Sequence, residues 1–256
     1  MKSIWFLIEV ALVVTAAQFI LGPFVLYRAT RHLAKPRFES FDPLNPPLPL
    51  PPSYAQNISG LEALGFQLAA HLFFAGHSTR VRSVLTLLTN PDQKDRAMVV
   101  HILAEALPVT RVVSNYVEFY THFADGSEVD TNNSRQPAGF VEVPEKKVYR
   151  APHLTDIKRL YALHRALLAQ RPAQEKVLSP AGAEVSSLIT VMERDYAREA
   201  SFGRLRLDES GMWYRLTVKG AIISALKFGW PVGQLRRRLQ YSSGKRLEQS
   251  VLKDQT

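Results

Sequence analysis

The chain of 256 residues contains no cysteine. That absence excludes disulfide scaffolds, thiolate zinc sites and cysteine nucleophiles. The sequence also lacks the GxSxG, GxxxxGK[ST] and GxGxxG patterns that mark common hydrolase and nucleotide sites. Its histidines are dispersed, with no HExxH or HxH spacing. The sequence therefore predicts no metal site and no cofactor, and it favours a role other than catalysis.

Positive charge is in excess, because the chain has 32 Lys and Arg residues and 23 Asp and Glu residues, which gives a net charge of +9. Such a chain attracts anionic partners, either nucleic acid or anionic lipid headgroups. Hydrophobic residues make up 46% and charged residues 21% of the chain. This composition excludes wholesale disorder and a membrane protein with many spans.

One long apolar run begins almost at the N-terminus, where residues 4–27 read IWFLIEVALVVTAAQFILGPFVLY. A helix of this length measures roughly 36 Å, against a hydrocarbon core of about 30 Å. Trp5 and Tyr27 stand near its ends, where aromatic side chains suit the two membrane interfaces. A cleaved signal peptide fits less well, because its apolar core is shorter. The run predicts a transmembrane anchor over residues 1–28, with the lipid bilayer as a partner.

The charges that flank the run predict its orientation. Only Lys2 precedes the run, whereas Arg28 and Arg31 follow it closely. Basic residues favour the cytoplasmic side. We therefore expect a single-pass protein with its N-terminus outside and its body in the cytoplasm.

Residues 29–52 form a basic and then proline-rich linker that contains PPLPLPP. Proline at this density favours an extended spacer. A PxxP ligand for an SH3 or WW domain is the alternative interpretation.

Residues 53–172 are expected to form an α+β domain. Alternating apolar residues predict an antiparallel meander sheet of about five strands, with Asp125 and Gly126 in a tight hairpin turn. A stripe that includes Ile157, Leu160 and Leu163 predicts a helix packed on the sheet. This combination of a sheet and helices is an α+β layer arrangement.

The open face of this sheet is the candidate binding surface. We expect Phe73, Tyr116, Tyr120 and His122 to line a groove for a small ligand or an unidentified protein partner. The predicted function is that of a binding or scaffolding module at the cytoplasmic membrane face. An unrecognised hydrolase is the alternative, in which three sheet histidines converge with Glu118; they are His71, His101 and His122.

Residues 176–242 predict a helix, a hairpin that turns at residues 209–211, and a second helix. The segment Arg215-Leu216-Thr217-Val218-Lys219-Gly220 and its hairpin resemble the wing and following helix of MarR-like winged-helix proteins. This resemblance implies a membrane-tethered nucleic-acid-binding protein as a further alternative. Nucleic acid is not the expected partner, because groove recognition also requires a helix-turn-helix.

The C-terminal region combines an apolar segment with basic residues. Trp230 ends the apolar part, and Arg236, Arg237 and Arg238 follow it. The pattern suits a helix that lies against anionic lipid, and equally a helix that covers the core of the body. With Trp5, Tyr27, Arg28 and Arg31, these four residues complete the predicted membrane contacts. Residues 243–256 are expected to be a flexible tail.

Overall fold

The computed structural model describes residues 2–78, 81–106, 109–137, 139–172, 177–178 and 182–252, and for several residues within these ranges it describes the backbone alone. The helices are α1 (Lys2–Ala29), α2 (Pro52–Glu62), α3 (Ile157–Ala169), α4 (Glu184–Ser201), α5 (Val218–Phe228) and α6 (Val232–Leu252). The strands are β1 (Arg31–Leu33), β2 (Glu39–Ser40), β3 (Gln67–Ser78), β4 (Val81–Asn90), β5 (Asp95–Ala106), β6 (Val109–His122), β7 (Glu128–Asn132), β8 (Lys146–Arg150), β9 (Leu205–Leu207) and β10 (Trp213–Leu216).

Seven strands form the main sheet, in the order β2-β3-β4-β5-β6-β7-β8. Neighbouring strands run antiparallel except for β7 and β8, which are parallel. The α+β class is confirmed, and the sheet has seven strands where about five were expected. The additional strands are short ones at the two edges, which carry too few residues to show an alternating pattern.

Helices cover both faces of this sheet. Leu61 of α2, Leu160 of α3 and Val251 of α6 join one hydrophobic core with sheet residues such as Val99. On the other face, three side chains of α4 pack against a second apolar cluster; they are Val185, Leu188 and Met192. The sheet is therefore the middle of three layers, which brings the side chains of β5–β8 under α4.

The proline-rich segment lies on the body. Leu48 is buried in the core under α2 and α3, and Phe41 and Leu50 pack against the same core. The peptide before it pairs as β2 with the edge of β3. An extended backbone fits this path because proline cannot join a helix interior or a central strand. The segment expected to be a spacer is a strap over the body.

A second, smaller sheet joins distant parts of the chain in the order β1-β10-β9. Its strand β1 follows α1 directly, and β9 and β10 form the predicted hairpin. Leu26 and Tyr27 of α1 pack with Tyr196 of α4 and Ala221 of α5 in one apolar cluster at this sheet. Helix α4, which precedes the hairpin, packs against the main sheet.

The apolar N-terminal run forms helix α1, but it does not meet the expectation drawn from its length. Across the described residues, none of the helices combines the length with the apolar character that crossing a bilayer demands. Helix α1 packs along α5, and a Cβ at Gly22 would lie 3.9 Å from Cβ of Ala225. The transmembrane anchor over residues 4–27, and the single-pass topology built on it, were therefore wrong predictions. The length of the apolar run shows that the segment is hydrophobic, but it does not show which surface of the protein the helix packs against.

The C-terminal region is helical where a tail was expected. Helix α6 continues to Leu252, and Gly244 lies so close to the end of β8 that an added Cβ would meet the carbonyl oxygen of Arg150 at 2.6 Å. Glu248 is buried between His153 and Arg159, with Nε2 of His153 2.8 Å from Oε2. Residues 253–256 of the expected tail lie outside the described residues, as does the expected domain boundary at 173–175.

Candidate binding site between the main sheet and helix α4

The hairpin at Asp125 and Gly126 aligns four polar residues of β6 and β7. Phe123 is hydrogen-bonded to Ser127 across the turn, and Gly126 has a φ of +84°, which favours glycine. This closure places His122 opposite Glu128 and Tyr120 opposite Asp130. Since side chains alternate along a strand, all four point to the face of the sheet that α4 covers.

Lys146 connects the acids of β7 to the neighbouring strand. The parallel pairing of β7 with β8 places Lys146 beside Glu128. Its Nζ lies 2.7 Å from Oε1 of Glu128 and 2.7 Å from Oδ2 of Asp130. On the other side of Glu128, Oε2 lies 3.0 Å from Nε2 of His122. Two buried carboxylates thus share one lysine and one histidine.

Helix α4 partly covers a cavity of about 60 Å³ over this cluster, which we call the α4 cavity. Arg96 of β5 donates a hydrogen bond of 2.9 Å to Ser187 of α4 and so ties the helix to the sheet beside the cavity. The lining is polar on the sheet side and mainly apolar on the helix side. The α4 cavity is lined by Glu118, Tyr120, His122, Glu128, Asp130 and Lys146, with Met98, Ser187, Leu188 and Val191.

Burial and proximity divide the roles of the two acids of β7. Burial alone would raise the pKa of Glu128, but the hydrogen bond from His122 and the charge of Lys146 hold it well below its usual range. Burial raises the pKa of Asp130 well above its usual range, and the charges of Glu128 and Glu118 raise it further against the opposing effect of Lys146. Glu128 is therefore the ionised partner of Lys146, and Asp130 is the acid that retains a proton.

Lys146 remains charged in this environment. Burial would lower its pKa, but the carboxylates of Asp130, Glu128 and Glu118 raise it well above the usual value. A single ammonium cannot neutralise three neighbouring acids, which agrees with the proton on Asp130.

One oxygen of the Asp130 carboxyl group lacks a hydrogen-bond partner in the described part of the chain. Asp130 is 1% exposed, and its Oδ1 has no hydrogen-bond partner among the residues that the structure describes. Leaving such an atom unpaired costs about 1–3 kcal/mol. Because Asp130 lines the α4 cavity, a group inside the cavity is well placed to pair with it.

The structure brings together three of the four residues expected to line a binding surface. Tyr116, Tyr120 and His122 share the α4 face, and burial raises the pKa of both tyrosines. Tyr120 and His122 line the α4 cavity, whereas Phe73 packs against the core on the opposite face. Glu128, Asp130 and Lys146 were not among the site residues predicted from the sequence.

The three sheet histidines do not converge. His71 and His101 lie on the face under α2, where Nδ1 of His71 is 2.8 Å from Oγ1 of Thr86. Tyr54 of α2 contacts both that hydroxyl, at 2.6 Å, and the ring of His101. His122 lies on the opposite face, so the arrangement on which the hydrolase alternative depends is not formed.

The residues expected to contact a membrane divide into two groups. Tyr27 packs inside the cluster at the small sheet, and the guanidinium of Arg31 lies 4.4 Å from the ring centroid of Trp213. Both are committed to contacts within the protein. The others are exposed or half-buried on α1, α6 and the turn before α6; they are Trp5, Arg28, Trp230, Arg236, Arg237 and Arg238.

A second polar group lies on the opposite face, beside an open depression of about 400 Å³. There Asp95 is fully buried and accepts hydrogen bonds from Thr121 at 2.7 Å, Tyr161 at 2.8 Å and Arg165 at 2.9 Å. Thr121 is also 3.0 Å from His164 of α3. Both oxygens of Asp95 accept hydrogen bonds from the protein, so this network holds α3 on the sheet.

Fold and site together define an α+β protein with a polar cavity between its main sheet and one covering helix. Among the described residues, no group of three His, Cys, Asp or Glu side chains is arranged to hold a metal ion. Comparison with protein families, with curated proteins and with solved structures finds no match.

Proposed function

We propose that this protein is a binding module that receives a small hydrogen-bonding molecule in the α4 cavity. The observation that carries the proposal is the carboxyl group of Asp130, which is buried, lines that cavity and has one oxygen without a hydrogen-bond partner among the described residues. A buried polar atom without a partner is uncommon in folded proteins, and perturbed acids cluster at functional sites.

The surroundings of Asp130 support the same proposal. Glu118 and His122 of β6 and Lys146 of β8 line the cavity on the sheet side, while Leu188 and Val191 of α4 line it with apolar groups. A few convergent polar groups within an apolar enclosure are typical of small-molecule sites. Replacing the cluster by apolar residues would cost little stability, so stability alone does not explain its presence.

Thermal unfolding in the presence of small polar compounds tests the proposal. The panel contains glycerol, acetamide, acetate and ethylammonium, each at millimolar concentration. We expect at least one compound to raise the melting temperature, because a ligand that binds only the folded state stabilises it. The shift should disappear in Val191→Phe, where the larger ring fills the cavity.

Val112→Phe is the matched control, because Val112 is exposed on β6 outside the cavity and receives the same substitution. The shift should persist in this variant. Equal shifts in the two variants, or no shift with any compound in the wild type, would overturn the proposal.

A further inference from the structure

We infer that the α4 cavity takes a small primary ammonium, held by the carboxylates of Asp130 and Glu118. This inference rests on the proposed function and names the chemical class of its ligand. It depends on the charges around the cavity, on the unpaired oxygen of Asp130, and on the size of the space.

Acidic groups outnumber cations in the lining of the cavity. Three carboxyl groups reach it, from Glu118, Glu128 and Asp130, whereas Lys146 supplies the one permanent cation of the lining. Lys146 is already held at 2.7 Å by Glu128. With Glu128 paired to Lys146 and a proton on Asp130, a ligand with one positive charge would balance the carboxylate of Glu118, and a ligand with a negative charge would be repelled by it.

The cationic side chains at the rim of the α4 cavity already have hydrogen-bond or ion-pair partners. Arg96 donates to Ser187 at 2.9 Å, with the same nitrogen 3.5 Å from Nδ1 of His122. Arg194 of α4 lies 3.9 Å from Oε2 of Glu128, and Asp195 beside it adds a further acid. His122 itself pairs with Glu128. Asp130 itself shares a side-chain hydrogen bond with Glu128, and none of the contacts of the rim cations provides a partner for its Oδ1.

The acceptors that remain suit an N–H donor. Oδ1 of Asp130 has no partner in the described part of the chain, and Oε1 of Glu118 accepts one bond of 3.2 Å from Asn132. An ammonium group supplies three donors at one point, as the side chain of lysine does. Charge-assisted bonds of this kind are about twice as strong as neutral ones.

The proton on Asp130 fits the same ligand. The local excess of carboxylates raises the pKa of Asp130, so the folded chain binds a proton at this position. An ammonium that arrives at Asp130 supplies the positive charge in its place, and the proton is released to the solvent. Binding of the cation and loss of the proton are therefore linked.

The volume limits the ligand to a small group. A cavity of about 60 Å³ corresponds to roughly two waters at their liquid volume of about 30 Å³ each. Ethylammonium, with one nitrogen and two carbons, matches this space, and its ethyl group would face Leu188 and Val191. Ethanol has the same number of heavy atoms and no charge, which makes it the matched neutral probe.

Isothermal titration of the full chain with ethylammonium chloride, ethanol and sodium acetate, at constant ionic strength, tests the inference. We expect ethylammonium to bind at least about tenfold more tightly than ethanol, and acetate not to bind. Repeating the titration in two buffers with different ionisation enthalpies should show release of up to one proton per ethylammonium at neutral pH. Asp130→Asn should weaken binding of ethylammonium by about tenfold or more and abolish the proton release.

Glu209→Gln is the matched control, since Glu209 is an exposed acid in the β9–β10 turn, far from the lining of the α4 cavity, and undergoes the same acid-to-amide substitution. Its affinity should equal that of the wild type. Equal or tighter binding of ethanol or acetate would overturn the ammonium inference and leave the proposed binding function standing. Absence of heat with all three probes, together with no thermal shift in the compound panel, would overturn both.

Discussion

Nε2 of His122 lies 3.0 Å from Oε2 of Glu128, and the two residues are direct partners across β6 and β7. Their pairing follows from the turn at Asp125 and Gly126, which sets the register of the whole hairpin. A slip of one residue in β7 would turn Glu128 to the α3 face, while β6 stays paired with β5, and would separate Glu128 from His122. The chemistry of the cavity is thus fixed by a turn several residues away.

Asp130→Asn is expected to become more favourable relative to the wild type as the pH rises. Burial raises the pKa of Asp130, so above about pH 4 the unfolded chain releases a proton that the folded chain retains. Wild-type stability from this group is therefore present at low pH and is lost as the pH rises, whereas asparagine does not titrate. The free energies of unfolding of the variant and the wild type should be measured in urea at about pH 5 and pH 8. The difference between them should change by up to about 1.4 kcal/mol per pH unit. If the difference in free energy of unfolding between the two proteins did not depend on pH, Asp130 would not retain a proton in the folded chain.

His164 should make the protein sensitive to mild acid. Burial lowers the pKa of His164 to about 4, below its unfolded value of 6.5. Stability from the neutral ring is complete above pH 6.5 and is lost as the pH falls, by up to about 3 kcal/mol at pH 4. Urea unfolding between these pH values should show the loss in the wild type and a smaller loss in His164→Gln.

His32 supplies the comparison for that experiment, because burial also lowers its pKa to about 4. His32→Gln should remove a similar part of the acid sensitivity, and the double variant should remove both parts. If His164→Gln retained the full wild-type dependence on pH, the buried neutral state of His164 would be refuted.

Leu48→Ala should lower the free energy of unfolding by about 2–4 kcal/mol, because Leu48 is buried where the proline-rich strap crosses the core. Leu44→Ala is the matched control in the same segment. Leu44 is 92% exposed, so its change should stay within about 0.5 kcal/mol. Equal effects of the two substitutions in urea unfolding would mean that the strap is not docked.

Gly244→Ala distinguishes a docked α6 from a free helical end. In a free helix, alanine is more favourable than glycine by about 1 kcal/mol. At Gly244 the new Cβ would meet the carbonyl oxygen of Arg150 at 2.6 Å, so we expect a loss of about 1–3 kcal/mol. Gly139→Ala, whose Cβ would meet nothing within 4 Å, serves as the control. A gain in stability on Gly244→Ala would contradict the docking of α6.

Much of the main sheet was predictable from local patterns. The alternation in β3 to β6, the Asp125-Gly126 turn and the stripe on α3 each depend on residues close in sequence. Helix α1 was also expected as a helix, but its packing on α5 depends on residues about 200 positions away. A hydropathy pattern carries no information about such a partner, and the transmembrane prediction failed for that reason.

Only part of the site could be predicted from the sequence. The turn at Asp125 and Gly126 determines that His122 faces Glu128 and Tyr120 faces Asp130, so this pairing could have been derived from the sequence. The position of Lys146 could not, because β8 joins β7 in parallel after an irregular connection that has no simple register rule. The cover provided by α4 depends on tertiary packing alone.

The small sheet has a consequence for the order in which the molecule folds. Its strand β1 pairs with β10, about 180 residues later in the chain, whereas β3 to β7 pair with strands that follow closely. Contacts between distant segments form slowly, because a long loop must close first. On the ribosome, the hairpins of the main sheet can form as they emerge. The apolar helix α1, although it precedes the main sheet in the chain, must wait for α5 before it has a surface to bury against, so it stays exposed to aggregation while the hairpins of the main sheet already form.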